Sequence, residues 1–252
     1  IPIAHVHGGE SSEGVIDESI RHSLTKMSHL HFVAAEEYRR RVIQLGESPE
    51  HVFNVGGLGI DNILRLKRLS KVDLQRSLGL TLMPRNLLIT FHPITLEVQT
   101  SERQMDELLA ALEALTDTGL IFTMPNADTE GRALSKRIRE FCDQHSHAVA
   151  HTSLGQQRYL SCIEYVDGVV GNSSSGLIEV PSFKRGTINI GDRQRGRLRA
   201  ASVIDCEPDR TSISAALDRL FSPAFRRQLE TVENPYGNGG ASNAIVRGLE
   251  EQ

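Results

Sequence analysis

Three serines follow a short apolar run in the segment VDGVVGNSSSGLIEVPSF, residues 166–183, and helical apolar spacing begins after them. Free N–H groups and the positive dipole end of a helix start attract an anion, and serine hydroxyls add hydrogen-bond donors. Ser173 and Ser174 are therefore candidate phosphate ligands, although serine is also an ordinary N-cap residue. We expect a helix over residues 177–183 with Glu179 in its first turn. There its carboxylate can accept hydrogen bonds from two ribose hydroxyls, or simply interact favourably with the positive end of the helix dipole.

A second polar loop, in TINIGDRQRGRLRAASVI, follows the predicted strand 187–190 and carries four arginines. Arginine forks match phosphate oxygens, so this loop could clamp a diphosphate that lies on the serines. Because Arg193 is nearest the strand end, it is the residue that we single out. The alternation over residues 195–199 is also typical of a solvated edge.

Two further strand ends point to the same site. His92 follows a predicted strand in LLITFHP, and Asn126 and Asp128 follow another in LIFTMPNAD. An imidazole beside a phosphate site can hold a leaving diphosphate or carry a proton. A histidine at a strand end is equally often structural.

The amino-terminal motif HVHGGE carries the candidate acid and base groups. His7 lies at the end of a strand, Glu10 follows the glycine turn, and Asp17 begins the next helix with Glu18 after it. Paired carboxylates can remove one proton and deliver another where their surroundings separate their pKa values. Asp17 is also a good helix cap, and Glu10 could be an ordinary loop acid. No zinc-type ligand spacing is present, so we predict no metal.

Short apolar runs alternate with longer amphipathic segments, which predicts βα units in a parallel sheet. In such sheets ligands bind outside the carboxyl ends of the strands, where all the candidate residues lie. The predicted strands are 3–7, 31–35, 52–55, 86–92, 120–125, 148–152, 168–171, 187–190 and 202–205, and the predicted helices are 17–28, 36–45, 60–69, 102–116, 130–144, 156–165 and 177–183.

The polar stretch 68–85 is the best candidate domain boundary, because a fresh βα series begins after it. We predict the tail of one Rossmann-like domain over residues 1–70 and a second, nucleotide-binding one over 75–220. Helices in 221–252 are expected to pack back on the first domain. The chain begins on an apparent strand without an initiator methionine, so we expect the later part of a longer protein.

Composition excludes several classes of function. A net charge of −4 over 252 residues argues against a nucleic-acid surface, and no apolar run has the length of a membrane span. Three widely spaced cysteines are expected to be buried free thiols. We therefore expect a cytoplasmic protein that binds a small molecule.

Together the motifs HVHGGE, DESIRHSLTKMSHLHF, ITFHP, PNAD and GNSSSGLIEVPSFKRGTINIGDRQRGR resemble the hydrolysing UDP-N-acetylglucosamine 2-epimerases of sialic-acid-type biosynthesis. The resemblance covers nearly the whole chain. It implies an α/β fold of two Rossmann-like domains of the glycosyltransferase-B kind, the first only partly present. It also implies UDP on the second domain and the sugar in the cleft between the domains.

The resemblance implies a role for each candidate residue. Ser173, Ser174 and Arg193 would contact the diphosphate, and Glu179 the ribose. His92 would sit by the leaving group. The nucleotide-sugar site would also be lined by Asn126, and proton transfer would involve Asp17 with Glu10 or His7. Some relatives carry Glu where this chain has His7, so the choice between His7 and Glu10 stays open.

The implied reaction uses no cofactor, and relatives imply a homo-oligomer, a dimer or a tetramer. The family's amino-terminal GSR-x-E-like and LGDR-x-E-like motifs are not in this sequence, so the chain alone could be inactive. Three alternatives remain open. They are a sibling epimerase of a UDP-2,4-diacetamido-trideoxy sugar, a UDP-sugar glycosyltransferase, and a module that only binds the nucleotide sugar.

Overall fold

The computed structural model describes residues 1–11, 17–93, 100–125 and 129–251. Within these residues nine strands form two sheets, and every strand pairing is parallel. The first sheet has the order β1-β2-β3 and the second β6-β5-β4-β7-β8-β9. The strands are β1 Ala4–Val6, β2 Leu30–Val33, β3 Val52–Asn54, β4 Arg85–Thr90, β5 Thr118–Thr123, β6 Ala148–His151, β7 Gly168–Gly171, β8 Gly186–Ile190 and β9 Val203–Cys206.

The second sheet has the doubly wound order of dinucleotide-binding folds. Numbered from β4, its strands run 3-2-1-4-5-6, so the chain reverses its direction of travel across the sheet between β4 and β7. Loops after these two strands diverge to opposite faces and leave a crevice at their carboxyl ends. This crevice is where a ligand is expected.

Helices cover both faces of the second sheet. The side chains of β4 alternate, with Leu87 and Ile89 in one core cluster and Leu88 in the other, as the period of a strand requires. The helices are α1 Asp17–Met27, α2 Glu36–Gln44, α3 Leu58–Arg65, α4 Lys71–Leu78, α5 Ser101–Leu112, α6 Thr129–Gln144, α7 Gly155–Tyr165, α8 Ser175–Ile178, α9 Arg210–Phe221, α10 Pro223–Glu230 and α11 Ala241–Glu250.

Two helices, α4 and α9, lie outside the predicted ones. In α4 the Ser70 hydroxyl accepts the Asp73 N–H at 3.2 Å, and Gly79 ends the helix in the left-handed conformation. Leu74 and Leu78 are buried in the core, so the polar segment of the predicted boundary contains a packed helix. The boundaries at 70, 75 and 220 remain predictions.

The predicted helix 177–183 is wrong in its extent. The structure has the single turn α8 over Ser175–Ile178, and a 3-10 turn over Val180–Phe183 follows it. Pro181 has no N–H to continue the α-helical pattern. Glu179 therefore lies at the junction of the two turns, not in the first turn of a longer helix.

The carboxyl-terminal helix α11 is tied to α3 by one carboxylate. Asp61 accepts hydrogen bonds from the N–H groups of Gly240 at 2.6 Å and Ser242 at 2.7 Å, and also from Ala241 N–H and the Ser242 hydroxyl. Burial raises the pKa of Asp61, but these hydrogen bonds outweigh burial and hold the pKa below its usual value. Asp61 thus acts as a remote N-cap for α11.

Replacing Asp61 by Asn should lower the free energy of unfolding by about 2 kcal/mol at neutral pH, because an amide cannot accept from all of these donors. A carboxyl group whose pKa is lower in the folded state than in the unfolded state stabilises the fold at pH values above its unfolded-state pKa. This stabilisation is lost as the pH falls through the folded-state pKa. The difference in free energy of unfolding between wild type and Asp61→Asn should therefore become smaller below about pH 4. Urea unfolding over pH measures both effects. The exposed Asp218→Asn is the control, and a gap that does not change with pH would contradict the assignment.

Candidate functional site

The crevice at the switch point is formed by an unusually close approach of β4 and β7. Gly171 ends β7 with φ of 138°, and a Cβ there would collide with the carbonyl oxygen of Thr90. Only glycine fits this backbone conformation and this space. The close approach brings the two following loops side by side.

Asn172 joins the loops that follow three neighbouring strands. Its side-chain oxygen accepts the His92 N–H at 2.7 Å, and its side-chain NH₂ donates to the His92 carbonyl at 2.8 Å. Its own carbonyl accepts from Arg193 Nη1 at 3.1 Å and from Gln194 Nε2 at 2.8 Å. Asn172 is fully buried. The structure therefore brings His92 and Arg193 to one residue, which immediately precedes Ser173 and Ser174.

The serine loop is held from below by the next strand. Thr187 in β8 donates from its hydroxyl to the Gly176 carbonyl at 2.7 Å, and a Cβ on Gly176 would meet the Thr187 methyl at 2.6 Å. Ser173 and Ser174 are partly exposed at the top of this packing. The Ser173 hydroxyl accepts the Ser175 N–H at 3.4 Å. Both residues follow β7 directly, at the carboxyl end of the sheet.

Glu179 faces α3. A Cβ built on Gly59 would lie 3.6 Å from Glu179 Oε1, which is van der Waals contact, so the carboxylate lies directly against this part of α3. Burial raises the pKa of Glu179, and the Ser175 hydroxyl opposes this effect only in part. Hydrogen bonds from ligand hydroxyls would stabilise such a carboxylate, because they replace the hydrogen bonds to water that burial removes.

His7 and Glu10 form a tight turn after β1. His7 adopts φ of 65°, an uncommon left-handed conformation for a residue with a side chain, and its N–H donates to the Phe32 carbonyl at 2.8 Å. Gly9 is also left-handed, and a Cβ there would collide with the Tyr38 carbonyl. The turn places His7 Nδ1 2.8 Å from Glu10 Oε1. The structure thus joins the two candidates for proton transfer into one pair.

Glu10 is 4% exposed and has charged neighbours from two directions. Arg197 Nη1 lies 3.1 Å from its second oxygen, and Arg21 donates to its carbonyl at 3.0 Å. Burial raises the pKa of Glu10, but the His7 hydrogen bond and the Arg197 and Arg21 charges outweigh it and hold the pKa below its usual value. Glu10 is therefore ionised at neutral pH.

The expectation of a solvated edge over residues 195–199 is wrong for Arg197. Its side chain is 13% exposed and reaches the first sheet, whereas Arg195 is exposed and Arg199 pairs with Asp205. The alternation of residues along the loop could not reveal the burial of Arg197, because its partner Glu10 lies far away in the sequence.

Three other candidates cannot be placed in the same detail. Asn126 and Asp128 lie outside the described residues, and so does the side chain of Asp17, whose backbone begins α1. Sequence reasoning missed Ser11, which is buried and donates to Glu18 at 3.0 Å. It also gave no role to Asn172, although an asparagine directly after a strand-end glycine was a signal.

No group of three or more potential metal ligands occurs among the described residues. In the same part of the chain, no helix is long and apolar enough to cross a membrane.

The fold matches solved nucleotide-sugar epimerases. The chain superposes on UDP-GlcNAc 2-epimerase from Neisseria meningitidis bound to UDP-GlcNAc with a TM-score of 0.84 at 16% identity, and covers 70% of that chain. For UDP-GlcNAc 2-epimerase from Methanocaldococcus jannaschii the TM-score is 0.79 at 18% identity. The whole of this chain is covered in both cases. At these identities the likeness establishes the mixed α/β, glycosyltransferase-B-like fold.

The family model for UDP-N-acetylglucosamine 2-epimerase matches residues 1–250. The chain belongs to the UDP-N-acetylglucosamine 2-epimerase family. Curated relatives in this family include the Escherichia coli polysialic acid biosynthesis protein P7, 44% identical over 98% of the chain. Another is the Campylobacter jejuni GDP/UDP-N,N'-diacetylbacillosamine 2-epimerase (hydrolyzing), 43% identical over the same share.

The epimerase-family chain is shorter than these relatives. It spans 63% of the Escherichia coli protein and 64% of the Campylobacter jejuni protein. Membership of the family is therefore established for residues 1–250 of this chain.

Replacing Asn172 by Asp tests the junction of the three loops. The substitution is isosteric, but it removes the donor to the His92 carbonyl and sets two oxygens against each other, which should cost about 3 kcal/mol of stability. Although Asp keeps the acceptor of the His92 N–H, repulsion between its second oxygen and the His92 carbonyl should separate the two loops, so amide hydrogen exchange at His92 should accelerate more than exchange in α9. The amide-to-acid control Gln156→Glu, exposed on α7, should change neither, and unaltered His92 exchange in Asn172→Asp would refute the role.

Proposed function

We propose that the protein is a hydrolysing 2-epimerase of a UDP-linked 2-acetamido sugar, with UDP-N-acetylglucosamine as the first candidate substrate. The observation that carries this proposal is the buried, ionised Glu10 of the first sheet, joined through Arg197 to the loop that also holds Arg193. The partner of the candidate proton acceptor and the candidate diphosphate anchor thus belong to one loop, the one that follows β8. Family membership supports the same chemistry.

Ser173, Ser174 and Arg193 would hold the diphosphate. The serines would supply neutral donors and the arginine a charged fork, and the Asn172 carbonyl holds Arg193 next to the serine loop. Glu179 would accept the ribose hydroxyls. His92, fixed by its backbone to Asn172, would lie beside the leaving oxygen. Asn126 would help to line the nucleotide-sugar site.

Glu10 would remove the C2 proton, with His7 holding the carboxylate in place. As the C2–H bond breaks, its electrons form a C1=C2 double bond and the C1–O bond breaks, so that UDP leaves with the bonding pair. The intermediate is 2-acetamidoglucal. Water then adds its oxygen at C1, and C2 receives a proton from the opposite face, for which protonated Asp17 is the candidate donor. The proton that the water loses would return to Asp17, and the proton on Glu10 would pass to solvent, so that both carboxyl groups return to their starting states. The products are N-acetylmannosamine and UDP.

The demanding step is removal of a weakly acidic proton by a carboxylate of low basicity. A strong anchor on the leaving group is needed because departure of UDP must drive the loss of the proton. Burial of Glu10 further helps, since a carboxylate with little water around it needs little reorganisation to react.

A second candidate substrate is a UDP-2,4-diacetamido-trideoxy sugar. The relatives named as N,N'-diacetylbacillosamine 2-epimerases are 43% and 35% identical to this chain, whereas a Neisseria meningitidis UDP-N-acetylglucosamine 2-epimerase is 30% identical. The anchor residues described above would contact only the parts that both nucleotide sugars share. Incubation with each compound, followed by mass spectrometry, separates the two substrates. Release of UDP from neither would contradict the proposal, and release only with an added acceptor would indicate a glycosyltransferase.

The roles of anchor and base can be separated by mutation. Ser174→Ala with Arg193→Ala should weaken UDP binding by about 10- to 100-fold, because charge-assisted hydrogen bonds to phosphate are lost. Glu10→Gln and Asp17→Asn should keep UDP affinity within about threefold and lose turnover by a factor of at least about 100. Calorimetry with UDP and a UDP-release assay give the two readouts. Unchanged UDP affinity in the double variant would exclude the anchor.

A further inference from the structure

Arg197 forms a buried ion pair across the two sheets. Its Nη1 lies 3.1 Å from Glu10 Oε2, with the two side chains 13% and 5% exposed. Arg197 belongs to the loop after β8, and Glu10 to the turn after β1. A charge buried to this degree is costly unless it is paired with good geometry, so each partner restricts the other.

The loop that carries Arg197 is itself fixed by two tyrosines. The Tyr38 hydroxyl accepts the Leu198 N–H at 3.1 Å, and the Tyr236 hydroxyl donates to the Leu198 carbonyl at 3.3 Å. The two hydroxyl oxygens are 2.9 Å apart. Because each hydroxyl has one hydrogen, Tyr38 must donate to Tyr236.

These three residues therefore form a closed hydrogen-bond ring, which we call the tyrosine ring: Tyr38, Tyr236 and the backbone of Leu198. Both tyrosines are fully buried. Tyr38 comes from α2 beside the first sheet, and Tyr236 comes from the segment before α11. The Tyr236 carbonyl accepts the Gly57 N–H at 2.8 Å. The residue next to Arg197 thus has both of its backbone polar groups held in place.

We propose that Arg197 is a positioning residue for Glu10, and that the tyrosine ring holds Arg197 in the place from which it orients the carboxylate and balances its charge. The inference rests on the proposed role of Glu10 in proton transfer. The groups that face Glu10 are His7 from its own turn, Arg21 from α1, Arg197, and the two ring tyrosines. Of these, Arg197 is the cation that contacts the carboxylate directly from the second sheet.

The loop after β8 carries both Arg193 and Arg197. Arg193 and Arg197 lie in successive turns of this loop, in which the Arg195 N–H donates to the Asp192 carbonyl at 2.8 Å and the Arg197 N–H to the Gln194 carbonyl at 3.3 Å. The proposed anchor of the leaving group and the proposed positioning residue therefore share one hydrogen-bonded loop.

The first test is a ¹³C NMR titration of the Glu10 carboxyl, assigned by its loss in Glu10→Gln. Arg197 favours the charged form, so Arg197→Gln should raise the pKa of Glu10 by at least about one unit, a tenfold change in proton affinity. Arg197→Lys keeps the charge without the fork, so it should fold and shift the pKa in the same direction by less. The exposed Arg195→Gln of the same loop should leave the titration unchanged. An identical Glu10 titration in Arg197→Gln and wild type would overturn the proposal.

The second test is kinetic. In Arg197→Gln, kcat should fall by about 10- to 100-fold with KM nearly unchanged, because an interaction made in the transition state is lost. Protonation of Glu10 stops the reaction, so the acid limb of the kcat/KM profile should move to higher pH by the shift seen in the NMR titration. Tyr38→Phe removes the acceptor of the Leu198 N–H without contacting Glu10, and should move the acid limb in the same direction by less. A uniform loss at every pH would indicate a merely structural role.

The two tests separate this inference from the proposed function. A Glu10 titration that responds to Arg197 in a protein that releases no UDP from either nucleotide sugar would contradict the function and keep the structural coupling. Turnover with an acid limb that does not depend on Arg197 would keep the function and overturn the positioning role.

Discussion

The contact between β4 and β7 is the constraint on which the rest of the site depends. These strands stand where the chain reverses its course across the sheet, and Gly171 lies so close to Thr90 that no side chain fits between them. This proximity lets one amide side chain, that of Asn172, hydrogen-bond the backbone of the neighbouring loop at both its donor and its acceptor. A ligand that spans three loops therefore meets a surface that is already assembled.

The buried Glu10 and the half-buried Glu179 have opposite environments. Guanidinium groups and an imidazole surround Glu10 and keep its pKa low, whereas Glu179 has only a hydroxyl to offset its burial and its pKa is raised. Groups whose surroundings push their pKa values apart are suited to different tasks. Under the proposed function, Glu10 would accept the proton and Glu179 would bind the ribose hydroxyls.

Much of the second sheet could be predicted from the sequence, because its strands are apolar on both sides and its motifs follow directly at the strand ends. The β7 strand is predicted to the residue, and His92 and Arg193 meet at Asn172 as loops after neighbouring parallel strands should. What could not be predicted depends on distant partners. The burial of Arg197 follows from Glu10, and the polar face of α4 concealed the two leucines that pack it into the core. The length of α8 was misjudged because helical apolar spacing continues past Pro181.

The tyrosine ring closes a contact between residues 38 and 236, and Asp61 holds the start of α11 across a similar separation. Contacts between such distant positions carry a large loop-closure entropy and form late, after local structure is in place. During synthesis from the amino terminus, the first sheet emerges long before Tyr236 and α11 exist. The turn that carries Glu10 therefore gains its contact with Arg197, and the tyrosine ring behind that contact, only after residue 236 has been made.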